Sequence, residues 1–276
     1  MACSELKRSH ITSEVLGCEA MTDMLIAMKK RTSYENFVAQ CPSCGVESIF
    51  NRASDLHTFE PIAGRDVVCL NVACCKPFRI VGDSINNPHE MLIYDCYELI
   101  ERKHYMNCIL SLAQAYEVFF SLFFRVELLY KPCAADPNHD LVEMNRLAEE
   151  FQKKIKGHTF DPMRALFLHH MVIGRSPKNL VESAAMIAAL PARPRDAQTP
   201  KNAAIEILSD AKLVPLLMKL KATSINTLRN RIVHKHAYRP TGDEAESALK
   251  ETENILFSLQ GRLNLQDDIN CYMVPY

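Results

Sequence analysis

The segment Arg229-Asn230-Arg231-Ile232-Val233-His234 holds the side chains of this chain that are best suited to acid–base chemistry. Arg229 carries a permanent positive charge on a planar set of donors that matches phosphate oxygens. His234 can accept or donate a proton near neutral pH. Together they suit a phosphodiester in RNA, where the 2'-hydroxyl supplies the nucleophile and the protein needs only a base and a cation.

A helix is predicted over 223–237, and it must position these side chains. Its apolar residues form a core stripe at helical spacing: Ile225, Leu228 and Ile232. Three polar residues spaced by four form a separate stripe, which we expect to be exposed: Asn226, Asn230 and His234. Arg229 lies between the stripes. This arrangement is typical of a cleft or a dimer interface.

A second group of residues with chemical potential is a cysteine cluster. Cys41 and Cys44 stand two residues apart on a tight turn, and Cys69 and Cys74 follow at a spacing of four. Four thiolates would close a tetrahedral structural zinc site. Cys75 is the alternative to Cys74, which we favour because Cys75 would then take a turn position that suits glycine. His57 is a less favoured substitute ligand, and free buried cysteines are the alternative to metal.

Composition limits the classes of function. The chain has 276 residues, of which 48% are hydrophobic and 24% charged, with only 8 glycines and a net charge of -1. A folded, helix-rich protein is predicted, and any RNA site must be a local basic patch. The other cysteines are expected to be free thiols in a reducing cytoplasm: Cys3, Cys18, Cys96, Cys108, Cys133 and Cys271.

The chain shows no signal peptide at its start. Its most apolar stretch, Cys108 to Phe124, is interrupted by Gln114 and Glu117. We expect this stretch to be short of a membrane span and to form a buried helix. A cytoplasmic protein without a membrane partner is predicted.

The pattern along the chain predicts four segments. Residues 1–36 should form an N-terminal helix, 37–86 a small β zinc ribbon, 87–264 a helical domain, and 265–276 a tail. Short β-prone runs lie in the ribbon: Val46 to Phe50, Asp66 to Leu70 and Phe78 to Val81.

Within the helical domain, caps and periodicity predict where the helices run. The predicted spans are 88–102, 105–130, 139–156, 161–173, 177–190, a helix from Thr199-Pro200 to 221, and the motif helix 223–237. Asn87 should cap the first, Lys131-Pro132 and Asp136-Pro137 should end the second, and Asp243 should cap a last helix that reaches Leu263. Residues 191–200 are predicted to be a proline-rich loop.

These features resemble the HEPN family, small helical domains marked by Arg-x4-6-His, often with Asn directly after the Arg. The resemblance covers about residues 88–264. Glu98 to Tyr105 is similar to the family's first helix and turn, and Ile109 to Glu117 to its second helix. The expected fold is therefore mainly α, an antiparallel HEPN-like bundle with inserted helices at 131–200 and a small N-terminal β zinc ribbon.

The resemblance implies a homodimer that cleaves RNA without a metal ion and leaves a 2',3'-cyclic phosphate. His234 would be the general acid or base, Arg229 would stabilise the phosphorane, Asn230 would orient the site, and Glu117 would hold Arg229. A basic patch would bind the RNA backbone: Arg231, Lys235, His236 and Arg239. The resemblance also implies a prokaryotic defence or toxin setting, with an antitoxin or defence-system protein as partner.

Plainer interpretations of the same residues stay open. His234 near a helix C-terminus can be a favourable partner of the helix dipole, and Glu117 can be a salt-bridge partner. The basic residues can form a solvated face. The competing function is a non-catalytic adaptor, in which the bundle dimerises and the ribbon recruits a partner. A nucleotide-binding sensor is disfavoured because no glycine-rich phosphate loop is found.

Overall fold

The structure is a computed structural model that describes residues 33–59, 62, 64–80, 87–138, 140–191, 193–208, 210–235, 238–267 and 269–273. Most of the predicted N-terminal helix, residues 1–32, lies outside the described residues. Residues 33–35 are not helical, and Asn36 already begins the first strand, so the predicted helix does not extend to 36.

Two antiparallel hairpins form the N-terminal unit. Strand β1 (Asn36–Gln40) pairs with β2 (Glu47–Asn51), and β3 (Arg65–Val68) pairs with β4 (Pro77–Ile80). The three β-prone runs are confirmed. Strand β1 was not predicted. The hairpins share a small apolar core: Phe37, Phe50, Leu56, Ile62 and Ile80.

The remainder of the described chain is mainly helical. Helix α1 (Pro88–Glu101) begins at Pro88, as expected, but Asn87 does not cap it with its side chain. The Asn87 amide instead donates to Glu90 Oε1 at 3.3 Å and accepts from the Asp267 N–H at 3.1 Å. The start of α1 is thereby joined to the segment near the C-terminus.

The central helix is longer than predicted. Helix α2 (Tyr105–Arg125) continues through a π-helical turn (Val126–Tyr130) into α3 (Lys131–Ala135). Lys131-Pro132 does not end it, because the wider π turn, closed by the Lys131 N–H on the Val126 carbonyl, accommodates a proline that has no N–H. The helix ends instead at Ala135, directly before Asp136-Pro137, the other predicted stop. The continuous helix from Tyr105 to Ala135 is long and apolar enough to cross a membrane, which was not predicted. Most of its apolar window is buried inside the protein, as expected for a core helix.

Three helices lie in the segment predicted to be an insertion, and they confirm the predicted spans: α4 (Leu141–Ile155), α5 (Phe160–Ile173) and α6 (Leu180–Ala189). A 3-10 turn (Pro194–Asp196) interrupts the proline-rich loop. The helix predicted up to residue 221 is instead split into α7 (Asn202–Glu206) and α8 (Val214–Ala222). Asp210 explains the break, since its carboxylate accepts from the Lys212 and Leu213 N–H groups in a turn.

The last helices complete the core. The motif helix α9 (Ile225–His234) is shorter than the predicted span at both ends. Helix α10 (Gly242–Leu263) is capped by Thr241, not Asp243, through a capping box in which Thr241 and Glu244 satisfy each other's backbone N–H. The predicted tail contains a short helix, α11 (Asn270–Met273). Helices α1, α2, α9 and α10 supply residues to one hydrophobic core.

Candidate functional site

Helix α9 packs its apolar face on the core and carries the motif residues beside it. Ile225 and Ile232 are buried, as predicted, whereas Leu228 is only half-buried. The predicted exposed polar stripe is wrong at Asn226, which is buried and donates from Nδ2 to Asp161 Oδ2 at 2.6 Å. The start of α5 covers Asn226, so of the three residues in the stripe Asn226 is buried, Asn230 is half-buried and only His234 is exposed.

Arg229 and Asn230 are half-buried, and His234 is exposed at the last position of α9. Five residues of α-helix separate the Arg229 and His234 side chains by a rotation of about 140° and a rise of about 7.5 Å. The two side chains therefore leave the helix in different directions. His234 lies at the C-terminal, negative end of the α9 dipole. This position also agrees with the interpretation that His234 is only a favourable partner of the helix dipole.

Glu117 on α2 lies within electrostatic reach of Arg229. Burial raises the pKa of Glu117, whereas the Arg229 charge and a hydrogen bond from the Phe160 backbone N–H lower it. Glu117 Oε1 is buried and has no hydrogen-bond partner among the described residues. Glu117 thus satisfies the N-terminus of α5 and influences the motif arginine at once.

An Asp161 cluster borders this site. Asp161 accepts from Arg164 Nη2 at 2.7 Å as well as from Asn226. Arg164 also donates to the Lys221 carbonyl at 3.3 Å and lies over the Phe160 ring at 5.3 Å. Asp161 was not predicted as a site residue. In the sequence, Asp161 stands directly before Pro162, a pattern that indicates the start of a helix. Nothing in that local pattern indicates a contact with α9.

The predicted basic patch is only partly available to RNA. Arg231 stacks on the Tyr238 ring at 3.6 Å and lies 4.0 Å from Glu244, whose carboxylate accepts from the Tyr238 hydroxyl at 3.0 Å. These contacts connect the C-terminal part of α9 with the first turn of α10. Arg239 donates to the Tyr238 carbonyl at 2.8 Å, and Lys235 is exposed. His236 lies outside the described residues.

The four predicted cysteines converge at the tips of the two hairpins. The sulfurs of Cys41, Cys44, Cys69 and Cys74 all lie within 4.8 Å of one another. Cys41 Sγ is 3.9 Å from Cys74 Sγ, and Cys44 Sγ is 3.7 Å from Cys69 Sγ. A tetrahedral zinc ion with Zn–S bonds near 2.3 Å separates its sulfurs by about 3.8 Å. The cluster therefore has the dimensions of a metal site.

Backbone N–H groups surround the sulfurs. Burial raises the pKa of Cys41, but hydrogen bonds from the Ser43 and Cys44 N–H groups outweigh it and lower the pKa to about 7. For Cys69, burial dominates and raises the pKa to about 11, although the Asn71 N–H donates to this sulfur. Asn71 Nδ2 lies 3.8 Å from Cys44 Sγ. The donors suit thiolates, the form in which cysteine binds metal.

Cys75 and His57 lie outside the cluster. Cys75 has a φ of 47°, and its thiol points at the Asn71 and Val72 carbonyls. Cys75 therefore occupies the left-handed turn position that favours glycine, as the sequence analysis expected. His57 is exposed in a turn. The other described cysteines form no disulfide bond: Cys96, Cys108, Cys133 and Cys271. Cys3 and Cys18 lie outside the described residues.

The ribbon contacts the helical core through α1. Asp95 accepts from the Tyr34 N–H, with its two oxygens at 3.3 and 3.2 Å. Burial, together with the nearby Glu98 and Glu35 charges, raises the pKa of Asp95. The hydrogen bond from the Tyr34 N–H and the Arg52 charge lower it, and the net result is a pKa of about 7. A carboxyl group with a near-neutral pKa thus stands at the junction of the two units.

Comparison with protein-family models gives no match for this chain. Searches of the curated proteins and of the solved structures give no significant match either. The likeness to the HEPN family therefore remains a resemblance carried by Arg229, Asn230, His234 and the surrounding helices.

Proposed function

We propose that this protein is a metal-independent endoribonuclease of the HEPN type. The observation that carries the proposal is that α2 packs on α9 and so brings Glu117 within electrostatic range of Arg229, on the helix that ends at the exposed His234. These are the residues to which the family resemblance gives catalytic roles, and they come from helices far apart in sequence. A charged pair of this kind at the solvent boundary is a better fit to a site than to a solvated face.

The proposed reaction is an internal transesterification. The RNA 2'-hydroxyl attacks the adjacent phosphorus, the P–O5' bond breaks, and the products are a 2',3'-cyclic phosphate and a 5'-hydroxyl. His234 takes the 2' proton or gives one to the leaving oxygen. Arg229 stabilises the crowded negative phosphorane, and Asn230 orients the phosphate or the histidine. Glu117 is a positioning residue, which holds Arg229 through its charge.

The active unit in this proposal is a homodimer. Within one chain, Arg229 and His234 diverge by about 140° around α9, so one motif is poorly arranged to surround a single phosphate. Two α9 helices facing each other would place the arginine of each chain opposite the histidine of the other. They would also double the local positive charge, which a chain of net charge -1 needs to hold RNA.

The cysteine cluster is proposed to hold one structural zinc ion. Four thiolates would complete the tetrahedral shell and leave no open position for a substrate. The hairpins bury only a small apolar core, so a metal ion would supply much of their folding free energy. In this proposal zinc takes no part in RNA cleavage. The cytoplasmic defence or toxin setting, with an antitoxin or partner protein, belongs to the same proposal.

A non-catalytic adaptor is the second candidate, and the ribbon surface favours it. Large apolar side chains are exposed on or beside the hairpins: Val46, Ile49, Val68, Leu70 and Val72. Such residues suit a protein partner better than an RNA backbone. Arg231 is also occupied by Tyr238 and Glu244, which removes one cation from the predicted RNA surface.

Incubation of the purified protein with mixed RNAs in EDTA separates the two candidates. We expect cleavage to 2',3'-cyclic phosphate ends, reduced at least about 100-fold by His234→Ala. His169→Ala, which alters another exposed histidine, is the control and should cut at the parental rate. Absence of cleavage by the folded parental protein, with RNA binding retained, would support the adaptor.

A further inference from the structure

A cleft of about 610 Å³ lies among the inserted helices, and none of its lining residues belongs to α9 or the ribbon. Its volume is in the range of small-molecule sites. Its lining comes from the end of α2, the π turn, α5 and the residues after it, α6, and residues 190, 191 and 196–198. Most of the wall is apolar: Phe124, Leu128, Leu166, Ile173, Met186 and Leu190. Leu128 comes from the π turn, a feature that is frequent at functional sites.

His170 is the polar group most deeply set in this wall. Its ring packs against Phe123 and Phe124, with centroids 5.3 and 6.0 Å away. Burial lowers its pKa, as do the nearby His169 and Lys131, whereas the Glu127 carboxylate raises it; the balance favours the uncharged ring. A neutral imidazole offers one donor and one acceptor. Among the described residues no hydrogen bond uses either ring nitrogen, and both functions are free for a ligand.

The charges around the cleft are already paired. Arg175 Nη2 lies 3.8 Å from Glu182 Oε2 at the mouth, and Asp196 lies 4.0 Å from Arg195. Beneath the cleft, Glu127 accepts from Ser176 at 2.8 Å and is paired with Lys131. A charged ligand would therefore lose its hydration without gaining a counter-charge, which is unfavourable.

We propose that this cleft binds an uncharged, mostly apolar small molecule that carries one hydroxyl, phenol or amide group. The apolar body lies against Phe124, Leu166 and Met186, and the polar group forms a hydrogen bond with His170. This inference is independent of the proposed ribonuclease activity, since no residue is shared between the two sites.

The probe for the site is N-phenyl-1-naphthylamine, an uncharged aromatic amine whose fluorescence rises in apolar surroundings. We expect saturable binding of one probe per chain. Ala185→Trp places a large ring in the cleft from an exposed position of α6 and should weaken binding at least about tenfold. Val181→Trp, on the same helix but outside the cleft, should leave the affinity unchanged. If Ala185→Trp does not fold, Ala189→Trp blocks the same cleft.

The hydrogen-bonding group is tested by competition. We expect 2-naphthol to displace the probe at lower concentration than naphthalene, and His170→Phe, which keeps the ring packing, to remove most of that difference. Absence of probe binding, or binding that is unchanged in both Ala185→Trp and Ala189→Trp, would overturn the site. Equal or tighter binding of the sulfonated relative 1-anilinonaphthalene-8-sulfonate would overturn the uncharged class of ligand.

Discussion

Glu117 has two roles at the scale of single residues, and they can be separated. Its carboxylate accepts the Phe160 N–H at the start of α5, which is a stabilising contact, and its charge acts on Arg229, which is the proposed functional contact. A glutamine side chain keeps the hydrogen-bond acceptor but removes the charge. The substitution therefore tests the functional role with little change to the structural one.

We expect Glu117→Gln to reduce RNA cleavage about tenfold and to change the free energy of unfolding by less than about 1 kcal/mol. Without the carboxylate, Arg229 loses the charge that holds it toward the cleft. Single-turnover cleavage rates and urea unfolding measure the two effects. Glu206→Gln, at an exposed position on α7, is the matched control. A parental cleavage rate would show that Glu117 only completes the end of α5.

At the scale of elements, each hairpin of the ribbon brings two cysteines to one point. The turn after β1 carries Cys41 and Cys44, and the turn after β3 carries Cys69 and Cys74. Few apolar residues hold the hairpins together, so we expect the proposed zinc ion to contribute to their folding. Cys74 and Cys75 are neighbours in the sequence, but only Cys74 belongs to the cluster, so substituting each of them in turn tests the ligand assignment.

We expect one zinc ion per chain in the parental protein and in Cys75→Ser, and a strong loss of zinc in Cys74→Ser. Cys74 is the fourth member of the cluster, whereas the Cys75 thiol points at backbone carbonyls. Elemental analysis of freshly purified protein measures the metal. Loss of zinc from Cys75→Ser with retention in Cys74→Ser would reverse the assignment, and a metal-free parental protein would remove the zinc proposal.

At the scale of the whole molecule, Asp95 joins the ribbon to the helical core. Because its pKa is raised to about 7, the folded chain binds a proton here more tightly than the unfolded chain, whose aspartate has a pKa near 3.9. Its contribution to stability is therefore fully present below about pH 4 and falls as the pH rises to about 7. Above that, a buried charge faces Glu98 and Glu35.

We expect Asp95→Asn to raise the free energy of unfolding at pH 8 by about 1 kcal/mol or more, and to have a clearly smaller effect at pH 4.5. The amide keeps an oxygen for the Tyr34 N–H but cannot ionise. Urea unfolding at the two pH values measures the effect. Glu101→Gln, at an exposed position of the same helix, should change stability equally little at both. A stabilisation that is the same at pH 4.5 and pH 8 would contradict the raised pKa.

The proposed dimer makes a prediction at the same scale. Arg229→Ala and His234→Ala chains, each expected to be inactive alone, should regain part of the cleavage activity when unfolded and refolded together. In a mixed dimer, one composite cleft keeps an intact arginine from one chain and an intact histidine from the other. Light scattering should give the dimer mass at micromolar concentration. RNA cleavage by a chain that is monomeric there would refute the dimer.

Local sequence patterns were sufficient for most elements. Helical spacing and proline or capping signals predicted α1, α4, α5 and α6 within a few residues, and the cysteine spacing predicted the cluster, including Cys74 over Cys75. These features depend on neighbours along the chain, such as turn geometry and the period of apolar residues. The coarse fold, mainly helical with two small N-terminal sheets, follows from them.

Contacts between distant segments decided the rest. Asn226 is buried because Asp161, 65 residues away, accepts its amide, and Arg231 is withdrawn from the basic patch by Tyr238 and Glu244. Glu117 meets Arg229 only because α2 and α9 pack together. The residue types and their spacing along one helix were determined by the sequence itself. Which of them face solvent, and which are held by partners, was decided by the tertiary structure, since hydrogen bonds and charges act across space.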